Sequence, residues 1–225
     1  MNGKFIVIEG GEGTGKSSCV NFLENHFRDN REIIFTREPG GTDFGEKMRE
    51  VFISAQSAGK ISVLAELLTF CAMRANHCDM LIRPALKEGK TVICDRFYQS
   101  TIAYQIFGRQ QRDMAETFLK INEHSIGLGM DSLIEPKLVI FLDVEPEVGL
   151  KRVKSRQTLS LLEKSTRFDE EELSFHKRVR EGYLSQFKSQ NTNSQNNWAK
   201  IDTTNKTWEE VQKEALELVL GVIGN

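Results

Sequence analysis

Short apolar runs alternate with longer mixed stretches of helical period along the 225-residue chain. The apolar runs fall at residues 5–8, 33–36, 91–94, 138–142 and 199–201, and each reads as a strand. Helical patterns fill the intervals at 17–29, 44–53, 63–87, 100–107, 112–125, 147–154, 171–189 and 208–222. Strand and helix taking turns in this way predict an α/β protein, with a five-stranded parallel sheet covered by helices on both faces. The tract 189–197, rich in Asn, Gln and Ser, reads as a solvated loop before the last strand. No fixed period recurs, which removes solenoid folds, and the length suits one compact domain spanning 1–225.

Chemistry concentrates at the ends of these strands. Gly10, Gly15, Lys16 and Ser17 complete a G-x-x-x-x-G-K-S phosphate loop between the first strand and the first helix. A glycine-rich turn curls its N–H groups around phosphate, and the helix N-terminus adds partial positive charge. Gly10, Gly11, Glu12, Gly13, Thr14, Gly15, Lys16, Ser17 and Ser18 are therefore the expected triphosphate cradle. Within it Lys16 reaches the outer phosphates and Ser17 ligates magnesium. Asp95 ends the third strand, where it can hold the magnesium shell from the side opposite Ser17, and Arg96 can grip a phosphate. Asp143 also ends a strand, but Glu145, Pro146 and Glu147 beside it look like a helix start, so Asp95 is preferred.

In the long helix Phe70, Arg74 and His77 share one stripe beside an apolar one of Leu67, Cys71, Cys78 and Ile82. A phenyl ring above a guanidinium can stack on a nucleobase; the alternative is Phe in the core and Arg reaching to water. His77 by itself reads as structural. The turn Arg37-Glu38-Pro39-Gly40-Gly41-Thr42 either approaches a ligand or is an ordinary surface turn.

A net charge of −2 argues against a nucleic-acid backbone as partner, and no apolar stretch approaches the roughly twenty residues that span a bilayer. Cys19, Cys71, Cys78 and Cys94 form no C-x-x-C pair, and no export-type leader precedes them, so reduced thiols in a cytoplasmic protein are expected. Asp43-Phe44-Gly45 imitates a protein-kinase triplet without its catalytic loop. Asn205-Lys206 lacks the acid of a guanine-reading element, because Trp208 stands in its place.

Four blocks in order, Ile8-Glu9-Gly10 into the phosphate loop, Arg37 to Thr42, Phe70 with Arg74, and Asp95-Arg96-Phe97 followed by Ser100, Ala103 and Tyr104, closely resemble bacterial thymidylate kinases over essentially the whole chain. The resemblance implies the three-layer fold of P-loop nucleoside monophosphate kinases, with a lid at about 155–172. It implies ATP-dependent phosphorylation of dTMP to dTDP, supplying dTTP for DNA replication, with Mg²⁺ and a homodimer formed through part of helix 63–87. By the same resemblance Lys16, Arg96, Glu12 and a lid arginine are the catalytic set. Phe70 stacks on thymine, Arg74 and Arg96 hold the base or acceptor phosphate, and Thr101 reads the pyrimidine edge. Tyr104 crowds the sugar 2′ position, Glu12 sits near the acceptor's sugar and phosphate end, and Arg37, Glu38 and Ser100 complete the dTMP site. Some members of the family carry their catalytic arginine in the phosphate loop and others in the lid. Gly13 occupies the loop position here, so Arg152, Arg156 and Arg167 are the candidates, Arg156 first. Phe97, Tyr98 and Thr101 depart from the commoner residues, which bears on the shape of the base pocket.

Overall fold

The computed structural model describes residues 2–53, 61–129, 133–159, 168–169, 171–191 and 197–224. Its five strands are β1 (Lys4–Gly10), β2 (Ile33–Arg37), β3 (Thr91–Asp95), β4 (Leu138–Asp143) and β5 (Trp198–Asp202). They pair in parallel in the order β2-β3-β1-β4-β5.

The three inner strands are apolar at nearly every position because both of their faces are covered. Alternate side chains go to opposite layers. Phe5, Val7, Val92, Cys94, Val139 and Phe141 join Phe70 and Met73 of α3 (Val63–His77) and Phe175, Val179 and Tyr183 of α8 (Leu173–Asn191). Ile6, Ile8, Ile93, Ile140 and Leu142 pack on the other side against Cys19, Val20 and Leu23 of α1 (Lys16–His26) and Val211, Ala215 and Val219 of α9 (Trp208–Ile223). The outer strands β2 and β5 are less completely buried.

The helix expected over 63–87 forms a continuous path with a change of winding: α3 passes through a π-helical turn, Cys78–Ile82, into α4 (Arg83–Lys87). Pro84 explains the change, since it has no N–H to return to the carbonyl of Met80. A similar π-helical stretch, Ile102–Gly108, extends the short α5 (Tyr98–Thr101). Between β2 and α3 lies α2 (Asp43–Ile53), and between β3 and β4 lies α6 (Ala115–Ser125). The helix expected over 147–154 is longer at both ends, as α7 (Pro146–Leu159), so Arg156 stands in a helical turn. Of the segment 155–172 read as a lid, residues 160–167 and 170 lie outside the described residues, Arg167 among them.

Strand register sets the site. Ile8 of β1 lies beside Asp95 of β3, and Asp95 beside Arg37 of β2, so three of the blocks singled out in the sequence end in one row. The chain then crosses from β3 over β1 to β4, and the loops leaving β1 and β4 diverge, as at the ligand crevice of open α/β sheets.

Candidate active site

The loop from Gly10 to Lys16 turns on three glycines, Gly10, Gly13 and Gly15, that no other residue replaces without strain. Gly13 has φ 72° and lies so close to Gly149 of α7 that an added Cβ would overlap its backbone. Gly15 caps α1 at φ 84°, with the Trp208 ring 2.9 Å from where its Cβ would be. No side chain caps α1 and no acid stands in its first turn, which leaves its leading N–H groups for an anion. Thr14 Oγ1 donates to the Gly11 carbonyl at 3.0 Å and closes the turn from inside.

Lys16 is paired with Asp95 at the end of β3. Burial pushes the Lys16 ammonium down, as does Arg96, while Asp95 acts in the opposite direction. Burial raises the Asp95 carboxyl, but Lys16 and Arg96 outweigh it and hold the group below the usual carboxylate range. Asp143, the other strand-end acid, is engaged by Arg180, whose Nε and Nη2 donate to it at 2.8 and 3.1 Å.

Arg96 follows Asp95 with φ 72°, a left-handed conformation uncommon outside glycine and characteristic of functional turns. Its Nη1 donates to the Gly10 carbonyl at 2.8 Å and to Ser100 Oγ at 3.1 Å, and its Nη2 to the Tyr104 hydroxyl at 3.2 Å. Tyr104 in turn donates to Glu12 at 2.7 Å, tying the helical stretch after β3 to the phosphate loop. Beneath them the buried Glu9 carboxylate accepts from the backbone N–H groups of Phe97 and Ser100 at 2.8 and 3.2 Å. Burial pushes the Glu9 carboxyl up, against the opposing pull of Arg96 and its hydrogen-bond donors.

On α3, Arg74 is only 2% exposed. Its Nε donates to Glu38 at 2.9 Å, Nη1 to Asn122 Oδ1 at 3.2 Å and Nη2 to Thr101 Oγ1 at 3.0 Å, and its guanidinium lies over the Phe97 ring. His77 bridges Glu38 and Thr36 Oγ1 at 3.3 and 2.8 Å, the structural part expected of it. Phe70, 8% exposed, packs in the core near Phe52 and offers its remaining surface to the cleft. Arg37 pairs with Glu46 at 2.7 Å.

Lys16, Ser17, Asp95 and Arg96 border one cleft of about 760 Å³, which Phe70, Arg74 and Thr101 line at another part. Arg156 lines it too. Arg152 instead donates to the carbonyls of Gly13, Thr203 and Thr204 at 3.3, 2.8 and 3.3 Å, bracing the loop from behind.

A family model for thymidylate kinase matches residues 8–215. The chain belongs to the thymidylate kinase family. Among relatives, the thymidylate kinase of Protochlamydia amoebophila (strain UWE25) is 44% identical over 187 residues, covering 82% of this chain and 80% of the relative. That of Trichodesmium erythraeum (strain IMS101) is 35% identical over 235 residues, covering 98% and 96%. The crystal structure of thymidylate kinase from Ehrlichia chaffeensis superposes with a TM-score of 0.71 at 27% identity, covering 96% of this chain and 98% of that one.

Within this thymidylate kinase fold, sequence reasoning gave no role to Glu9, which it quoted only as part of a block, and missed Arg49 and Tyr183. Glu9 carried a signal, an acid inside an otherwise apolar strand one residue before the phosphate loop. Arg49 lines the cleft from α2 and donates to the Pro39 carbonyl at 2.8 Å, but its sequence neighbours mark only a polar helix face. Tyr183 reaches the Glu9 carboxylate from a helix 174 residues away in sequence, a contact only the fold creates.

Proposed function

We propose that this chain transfers the γ-phosphoryl group of ATP to dTMP, giving dTDP for DNA synthesis, and that the cleft described above is where it does so. Family membership supports the reaction, and one observation supports the location: the phosphate loop and the Phe70–Arg74–Arg96 floor open into the same cavity. The donor triphosphate lies on the loop 10–18, with its outer phosphates against α1 and Lys16. Phe70 faces thymine. Thr101, already accepting from Arg74, keeps its hydroxyl proton to donate to the base edge. Arg96 and Arg37 align the acceptor phosphate in line with the donor, and Tyr104 closes the floor beside the sugar. An ionised phosphate is already a nucleophile, so no general base is required. Arg156 supplies positive charge as it develops on the transferred group.

Ser17 and the ionised Asp95 offer the oxygen donors that Mg²⁺ takes. Among the described residues no group of three or more His, Cys, Asp or Glu could hold a metal, which suits an ion carried in on nucleotide phosphates rather than caged by protein. Magnesium bound there would neutralise phosphate charge.

The reading extends to a cytoplasmic homodimer. Leu64 and Leu68 are 50% and 44% exposed on α3 and suit a second copy. All four cysteines are free and buried, as in a reducing compartment, and no described helix is long and apolar enough to cross a membrane. A coupled assay with ATP and dTMP, dUMP, dCMP or AMP tests the assignment. Nucleoside diphosphate is expected chiefly from dTMP; preference for another acceptor, or ATP hydrolysis without a phosphorylated acceptor, overturns it.

A further inference from the structure

A guanidinium on a flexible stem aligns a phosphate only if its own orientation is fixed. Arg96 Nη1 carries two hydrogens and meets three oxygens: the Gly10 carbonyl at 2.8 Å, Ser100 Oγ at 3.1 Å and the Tyr183 hydroxyl at 3.1 Å. That saturates one side of the fork. Nε–H and one Nη2 hydrogen make no hydrogen bond among the described residues of the site, with Glu12 Oε1 3.6 Å from Nη2, and can meet an anion.

Tyr183 is well suited to hold that side. It is fully buried, its ring stacks on Phe141 at 5.1 Å, and the Tyr104 ring meets it edge-on at 6.4 Å. Packing therefore fixes where the hydroxyl stands. The hydroxyl donates to Glu9 Oε2 at 2.8 Å, which leaves its lone pairs to accept from Arg96. Ser100 Oγ lies 2.8 Å from it and 2.7 Å from the same Glu9 oxygen. Burial pushes the phenol pKa up, so the proton stays in place at working pH. Tyr183 does not border the main cleft, so any effect on dTMP must pass through its neighbours there, Arg96 with Ser100 and Tyr104.

We propose that Tyr183 is a positioning residue for the acceptor phosphate: its hydroxyl, anchored on Glu9, turns the free edge of Arg96 toward that phosphate and couples α8 to phosphoryl transfer. The inference rests on the assignment of Arg96 to the acceptor phosphate.

Tyr183→Phe keeps the ring and its stacking and deletes only the oxygen. Binding of dTMP and of thymidine, which lacks the phosphate, is measured for the wild type, Tyr183→Phe and Arg96→Ala. Removing one hydrogen bond to a charged group is expected to weaken dTMP binding by about 10-fold in Tyr183→Phe while thymidine binding stays within about twofold. In steady state, kcat/KM for dTMP falls correspondingly and KM for ATP holds. Unfolded molecules bind neither ligand, so the dTMP-to-thymidine ratio reads folded enzyme alone. Equal losses for both ligands, or an unchanged ratio in Tyr183→Phe with a collapsed ratio in Arg96→Ala, would overturn the role of Tyr183. An unchanged ratio in Arg96→Ala would overturn the assignment of Arg96 itself, and this inference with it.

Discussion

The Arg74 guanidinium and the Glu38 carboxylate form a buried ion pair at 2.9 Å that joins α3 to the turn after β2. Two cleft walls far apart in sequence are thereby held at a fixed separation. Removing one partner leaves a charge without compensation in a dry site, so Glu38→Ala is expected to cost about 3–5 kcal/mol of stability and to raise KM for dTMP. Denaturant unfolding and steady-state kinetics check both halves.

Lys16, Arg156 and Arg152 are expected to separate by function. Lys16→Ala and Arg156→Ala each remove positive charge from the reacting phosphates and should lower kcat by about 10²–10³-fold. Arg152→Ala should instead raise KM for ATP, because that guanidinium braces the Gly13 carbonyl and the loop after β5. Wild-type-like kcat in Arg156→Ala would remove Arg156 from the reaction.

Phe70 packs in the core and, on the proposed function, also faces the base. Because it is largely buried, Phe70→Ala is expected to cost about 3–5 kcal/mol in addition to raising KM for dTMP. Phe70→Leu refills most of the volume without an aromatic face, so it should recover much of the stability while KM stays high. Thermal unfolding alongside kinetics distinguishes the two contributions.

Glu9 sets a pH signature. Its carboxyl has an ordinary pKa of 4.5 and a folded value above that, driven up by burial. A raised folded value means stability that is fully present below the unfolded pKa and lost as pH rises through the folded one. The stability difference between the wild type and Glu9→Gln should therefore shift against the wild type as pH climbs above 4.5. Denaturant midpoints across the acid range test this, and a difference independent of pH would contradict it.

The sheet was legible because its inner strands are apolar on both faces and its loops carry fixed chemistry. All five predicted strands are present, and the phosphate loop, Asp95, Arg96, Phe70 and Arg74 converge on one cleft as the motifs suggested. Less legible was how each side chain is held. The stripe of Phe70, Arg74 and His77 pointed to α3, yet nothing local shows that Glu38, Thr101 and Asn122 enclose the guanidinium. Winding also escaped sequence periodicity, since one extra residue per turn before Pro84 barely disturbs an apolar stripe. Arg152 and Arg156 have the same composition signal, and only the geometry of α7 sends one to backbone carbonyls and the other to the cleft.

The main-chain contact of Gly13 with Gly149 leaves no room for a side chain in the phosphate loop at that position. Any side chain grafted onto the loop there would push loop and α7 apart, and with α7 moves Arg156, which lines the cleft from the same helix. On the proposed function, a loop side chain at residue 13 and a cation presented from α7 would therefore compete for the same space.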